Sequence, residues 1–272
     1  MKVAITGVSG FVGTNITQLY KNFVAINRND TKEEILRKLK DVDVVINLAG
    51  APIIKKWTSS YKKTLISSRI DTTKVLVDAI NESEVKHFIS TSAIGAYPDG
   101  KAYDESFEGY GEDFLALLTK MWEAEASCCT KPTTIIRFGV ILGKDGGALA
   151  QMLLPFKLGL GGIIGDGEMM MSWIDVEDLV GIYKYVIDNK LTGTFNATAP
   201  HPVSNYTFTK ALGKVLHRPT FLPLPEFVLK ILFGEGSTVL TGSKEVYPNA
   251  LLEAGFEFKY KDIDTSLVHL FG

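Results

Sequence analysis

Three glycines, Gly7, Gly10 and Gly13, follow a short apolar run at intervals of three residues, and that spacing suits phosphate chemistry. Glycine turns the chain tightly and has no Cβ to hold a ligand away. A strand entering such a loop and a helix leaving it therefore bring backbone N–H groups up to a pyrophosphate. Gly7, Ser9, Gly10, Phe11, Val12 and Gly13 are accordingly candidate contacts for a dinucleotide. A glycine turn with a purely structural purpose would carry the same letters, but it would not require a strand before it and a helix after it.

The next informative residues are Asn27 and Arg28, which close a second apolar run over 23–26. Dinucleotide folds that take NAD place an acidic residue there for the ribose 2′-hydroxyl, whereas a guanidinium suits the 2′-phosphate of NADP. Arg28 thus favours NADP over NAD, with Asp30 as the alternative ribose partner if the strand ends later. A third contact surface is expected at Leu48, Ala49 and Gly50, where small residues end the run 42–48 and let a cofactor lie against backbone.

Other chemistries are disfavoured. His87, His201, His217 and His269 are scattered without metal-ligand spacing, so no metal is expected. A net charge of -2 offers no basic stripe for nucleic acid, and a small-molecule partner is expected instead. Cys128 and Cys129, the only cysteines, are adjacent and cannot staple distant segments, which points to a reducing compartment, the cytoplasm. No uncharged apolar stretch reaches the length a bilayer requires, so no membrane association is expected.

Stepping outward to the elements, apolar runs at 2–6, 23–26, 42–48, 88–90, 134–138 and 193–196 read as strands. Helical patterns over 13–20, 67–80 and 113–128 lie between them. The alternation predicts an α/β chain with a doubly wound parallel sheet, the Rossmann fold. Residues 1–197 are assigned to this dinucleotide-binding domain, with 143–171 as a glycine-rich loop facing the cleft. Beyond it prolines punctuate the chain, and 198–272 reads as a small C-terminal domain with a helix over 206–216.

Taken together, the three glycines, Asn47 to Gly50, and Ser90, Thr91 and Ser92 give the chain a resemblance to the extended short-chain dehydrogenase/reductase family. More narrowly it resembles the atypical, epimerase-like branch of YfcH-type proteins. Ala49-Gly50-Ala51-Pro52, Trp57, Ser68-Arg69, Asp113-Phe114-Leu115-Ala116, Trp122-Glu123 and Ser172-Trp173-Ile174 carry that likeness in the first part. Asn196-Ala197-Thr198-Ala199-Pro200, His217-Arg218-Pro219 and Leu251-Leu252-Glu253-Ala254-Gly255-Phe256 extend it to the C-terminal part.

The resemblance implies a test of chemistry. Members of the wider family move a proton with a Tyr-x-x-x-Lys pair on the helix after the strand that ends near Ser92. Aligned through Glu123, that pattern falls on Leu115 and Thr119, which cannot transfer a proton; Lys120 is one residue away, about 100° round the helix. The resemblance leaves Ser92 as the hydroxyl that orients a substrate, against the plainer reading of a serine satisfying buried backbone, and Ser90 beside the cofactor. Tyr97 is a candidate phenol for the same cleft, although an aromatic residue after a strand more often packs. Where nucleotide-sugar epimerases carry an arginine for the substrate diphosphate, this chain has Met171, and Met169 and Asp175 replace the branch's usual glutamine and histidine.

The expectation is an NADP-binding protein, either an oxidoreductase or epimerase-like enzyme of unknown substrate that lacks the usual pair, or a non-catalytic NADP sensor or regulator. A third reading makes the Pro-rich stretch 221–225 a docking segment for another protein. Family members commonly dimerise, so a homodimer is compatible with the resemblance.

Overall fold

The computed structural model describes residues 1–272, the side chain of Gln151 excepted. Six strands form one parallel sheet: β1 (Val3–Thr6), β2 (Phe23–Ile26), β3 (Val44–Asn47), β4 (His87–Ala93), β5 (Thr133–Phe138) and β6 (Gly193–Ala197). Their order across the sheet is β6-β5-β4-β3-β1-β2. β1 and β3 are buried at every position, which explains why their sequences read as unbroken apolar runs rather than as alternating ones.

Helices cover both faces. α1 (Phe11–Thr17) and α7 (Val176–Asp188) bury Ile16, Ile182 and Val186 against Val3, Ile5, Val44 and Ile46. On the other face α2 (Lys32–Lys38), α4 (Ile70–Asn81) and α5 (Phe114–Ser127) set Ile35, Leu76, Ile80 and Ala126 against Ala4, Val45 and Phe88. The strand period of two sends Val3 and Ile5 one way and Ala4 the other, so each strand serves both cores. From β1 the chain winds outward to β2, then crosses back to β3 on the other side. This reversal opens a crevice at the carboxyl ends of β1 and β3.

The helix expected over 67–80 is α4, which begins at Ile70, and it is preceded by a separate helix, α3 (Ser59–Ser67), with Ser68 and Arg69 in the turn between them bonded to the loop after β3. Ser68 Oγ accepts from Ala51 N at 3.0 Å and Arg69 Nη2 donates to Ala51 O at 3.0 Å.

The 143–171 segment is not simply a loop. It contains α6 (Gly147–Lys157) and a strand, Gly162–Ile164, that pairs with Leu222–Leu224, while Met170–Met171 pairs with Val203–Ser204. α6 lacks a polar stripe, which hides its period in the sequence. Its Leu149, Leu153 and Phe156 find partners only in tertiary structure, against Phe208 and Leu212 of α8 (Asn205–Val215) and Ile263 and Leu267 near the chain end. This apolar cluster is thus assembled from both 143–171 and the C-terminal residues.

Asp175 ties the start of α7 to Ser266. It is fully buried, caps α7 by accepting from Glu177 N at 2.8 Å, and accepts from Ser266 Oγ at 2.7 Å. Replacing it removes a helix cap and orphans a buried hydroxyl, so Asp175→Ala is expected to lower stability by about 2–3 kcal/mol in urea denaturation. Ser266→Ala, which leaves the cap intact, is expected to cost roughly 1 kcal/mol.

Candidate cofactor-binding site

The glycine loop is held by contacts that no other residue permits. Gly7 has φ +66°, and a Cβ on it would lie 2.7 Å from the Leu48 carbonyl oxygen. A Cβ on Gly13 would lie 2.2 Å from the Gly7 carbonyl oxygen. The Gly10 amide donates to Gly7 O at 3.0 Å, and α1 starts at Phe11 with no side chain capping its first amides. Gly7 to Val12 and Leu48 to Gly50 all keep some surface open to solvent at the crevice. A cradle stripped of side chains, with uncapped N–H groups facing it, fits a dinucleotide pyrophosphate.

The facing wall is fixed by a buried network that the sequence did not reveal. Thr6 Oγ1 accepts from the Leu48 and Ala49 amides at 2.9 and 3.1 Å and donates to Asn47 Oδ1 at 2.8 Å. Asn47 Nδ2 and Trp122 Nε1 both donate to Thr73 Oγ1 at 2.9 Å. Trp122 is therefore a packed indole tying α5 to α4.

Phe11 turns away from the loop into a glycine notch. A Cβ on Gly143 would come within 2.3 Å of its ring and one on Gly146 within 2.1 Å. The aromatic residue of the glycine motif thus clamps the phosphate loop to the turn that starts α6. The glycines of 143–147 were visible in the sequence, but their partner was not.

At the end of β2, Asn27 and Arg28 are exposed. Asp30 Oδ2 accepts from Asn27 N at 2.6 Å and meets the Lys38 ammonium. Desolvation opposes ionisation of Asp30, but Lys38 and the Asn27 N–H groups outweigh it and hold the carboxyl below its ordinary value. Asp30 is thus committed to the turn. Arg28 has neither an ion pair nor a hydrogen bond among the described residues, and its guanidinium is available to an external anion.

The residues considered for catalysis sit differently. Ser92 and Ser90 are each 1% exposed and Tyr97 is fully enclosed. Ser90 Oγ points at the Thr91 carbonyl, and Ser92 Oγ donates to Glu123 Oε1. Glu123 receives two further hydrogen bonds from Arg137 Nε and Nη2, both at 2.8 Å, and one from the Tyr110 hydroxyl at 2.7 Å. Its acceptor capacity is filled. Burial and then Glu123 push the Tyr110 phenol up to about 12.

The Tyr97 hydroxyl donates to Asn196 Oδ1 at 3.0 Å, its ring lies 4.9 Å from the Arg137 guanidinium, and burial raises its pKa. With no open surface, neither Ser92 nor Tyr97 reaches a ligand as placed. The charge pair behind this arrangement was missed, although a single arginine inside the apolar strand 133–138 is a readable signal.

Leu115 and Thr119 face the loop after β4: a Cβ on Gly95 would stand 3.4 Å from Leu115 Cβ and 3.9 Å from Thr119 Oγ1. Ser172, Trp173 and Asp175 are buried and serve packing and capping, Trp173 Nε1 donating to His201 O at 3.1 Å. Among the described residues no group of His, Cys, Asp and Glu side chains is placed to hold a metal ion.

Glu123 and Arg137 form a buried ion pair, and removing one partner strands the other charge. Glu123→Leu is expected to cost about 3–5 kcal/mol in chemical denaturation, whereas Glu123→Leu with Arg137→Met is expected to recover most of that loss.

A family model described as the NAD dependent epimerase/dehydratase family matches residues 3–198, and one described as a domain of unknown function (DUF1731) matches residues 224–270. Epimerase family protein SDR39U1 of Mus musculus is 36% identical over 288 residues, covering 98% of each chain. Epimerase family protein YfhF of Bacillus subtilis is 34% identical over 297 residues, covering 99% of this chain and 98% of its own. The crystal structure of human epimerase family protein SDR39U1 (isoform 2) with NADPH superposes with a TM-score of 0.93 at 32% identity over 99% of both chains. The UDP-N-acetylglucosamine 4-epimerase from Bacillus cereus shares the fold at 17% identity, with a TM-score of 0.81 over 100% and 98% of the chains.

Proposed function

The chain belongs to the NAD dependent epimerase/dehydratase family, as an atypical extended short-chain dehydrogenase/reductase, and we propose that it binds NADP(H) in the crevice between β1 and β3 as an oxidoreductase-like or epimerase-like protein without the family's tyrosine and lysine. The carrying observation is a glycine cradle closed by Gly7, Gly13 and Leu48 and flanked by an uncommitted Arg28. NADPH is the dinucleotide named with the human relative's structure. When bound, the cofactor supplies a hydride; the chain's own part is to hold the pyrophosphate on backbone and the 2′-phosphate on Arg28.

A second reading, a non-catalytic NADP(H) sensor, is favoured by Ser92 and Tyr97 being sealed and hydrogen-bonded inside the protein. The ligand in either reading is a small molecule. The proposal includes a cytoplasmic location, in keeping with two cysteines that form no bridge. No helix among the described residues is long and apolar enough to cross a membrane.

Titration of cofactor-stripped protein with NADPH and NADH tests the reading, and loss of binding to both would remove it. Arg28→Ala is expected to weaken NADPH roughly 10- to 100-fold and to leave NADH nearly unchanged, since a charge-assisted contact contributes about 1.5–3 kcal/mol. Equal losses for the two would refute the 2′-phosphate assignment. A Cβ on Gly10 would lie 3.3 Å from Gly7 O, a tight contact that the loop meets by shifting a few tenths of an ångström, and it would stand where the pyrophosphate approaches. Gly10→Val is therefore expected to abolish dinucleotide binding while the protein still folds, as thermal unfolding and NADPH titration would show. Change in nicotinamide absorbance across carbonyl compounds and alcohols separates the two readings: turnover supports the enzyme, and tight binding without turnover supports the sensor.

A further inference from the structure

We propose that Lys38 is a specificity-determining residue of the cofactor site: by neutralising Asp30 it lets the turn after β2 accept the 2′-phosphate of NADP(H) and shifts the site away from NAD(H). The proposal rests on the cofactor reading above and assigns the pair of residues that regulates which dinucleotide the site takes. Arg28 is half of that decision, because a guanidinium attracts a phosphate. The carboxylate two residues on is the other half. An unneutralised acid at this place repels a 2′-phosphate and suits a ribose 2′-hydroxyl instead.

Residues 27–30 form a tight turn with Arg28 and Asn29 exposed at its corner. The turn is closed twice: Asp30 N donates to Asn27 O at 3.2 Å, and Asp30 Oδ2 accepts from Asn27 N at 2.6 Å. Asp30 thus positions the corner residues as well as carrying charge. α2 begins just after it, fixed by a reciprocal cap in which Glu34 N donates to Thr31 Oγ1 at 3.3 Å and Thr31 N to Glu34 Oε2 at 2.8 Å. Ile35 and Leu39 bury against the sheet and hold the rest of the helix. Side chains on a helix lean toward its amino end, so Lys38 in the last turn reaches back along α2 and its ammonium meets Asp30 Oδ2.

The neighbouring cations of α2 are turned elsewhere. Lys32 pairs with Glu82 at 2.6 Å, and Arg37 Nε donates to Glu33 O at 3.4 Å. The Asp30 and Lys38 side chains are 12% and 28% exposed, so water screens their attraction less than that of a fully exposed pair. With Glu34 and Arg37 they line an open cavity of about 440 Å³, and a substitution at either position therefore leaves the packed core intact. With the pair formed, Arg28 is the uncompensated charge of the turn. With Lys38 gone, the Asp30 carboxylate opposes Arg28 and faces a phosphate group that carries close to two negative charges.

The test is the ratio of NADPH to NADH affinity, read by titration of cofactor-stripped protein substituted in the pair. Lys38→Met is expected to weaken NADPH about tenfold and to leave NADH unchanged or tighter, so that NADH binding reports a folded crevice. Lys38→Arg, which keeps the charge, is expected to keep the ratio. Asp30→Asn added to Lys38→Met is expected to restore NADPH to within about threefold, because the amide oxygen still accepts from Asn27 N while the charge is gone. Unchanged NADPH affinity in Lys38→Met, or an equal loss for NADH, overturns the proposal. A double variant as weak as Lys38→Met alone also overturns it, since Lys38 would then act on the phosphate without Asp30. Unaltered protein that binds neither dinucleotide removes the cofactor reading and the proposal with it, whereas binding with a ratio indifferent to Lys38 removes the proposal alone.

Discussion

The close approach of three backbone segments, Gly7 to Leu48 and Gly13 to Gly7, governs the cofactor half of the molecule. A Cβ on Gly13 would sit 2.2 Å from the Gly7 oxygen, so the first helix can pack this near its strand only because the side chain is absent. That packing aims the uncapped start of α1 into the crevice. The reversal of the sheet between β1 and β3 puts the crevice there in the first place. Thr6 then carries the constraint across the sheet, its hydroxyl holding the Leu48 and Ala49 amides opposite the glycines. Phe11 carries it in the other direction, locking the loop into the turn before α6.

The far ends of β4 and β5 depend on a different device. Its core polar feature is the buried Glu123 carboxylate, which collects Arg137, Ser92 and Tyr110. A buried pair of this kind is a weak source of net stability, because desolvating both charges offsets most of their attraction. It does fix geometry: Tyr97 and Tyr110 lie 4.9 and 5.7 Å from the guanidinium, and Ser92 is turned inward. The hydroxyl that a dehydrogenase would present to a substrate is here part of the scaffold.

By itself the sequence determined the sheet, the glycine cradle and the absence of the proton-transfer pair, because each is written in local terms. Apolar runs without alternation mark strands buried on both faces, the glycine spacing marks a backbone approach, and Leu115 and Thr119 are what they are whatever the fold does. Sequence left both Asp30 and Arg28 open as ribose partners, and only the fold shows Asp30 engaged by Lys38 and the Asn27 amide. α6 escaped detection because it has no polar face, and its partners lie more than fifty residues away in α8 and near the chain end. Ser92 and Tyr97 were candidates by residue type and position, yet their availability depended on Glu123 and Asn196, contacts 31 and 99 residues distant along the chain. Chemistry that depends on which groups remain unpaired is a property of tertiary packing, because a hydrogen-bonding group is spent or free only once its partners have been brought to it.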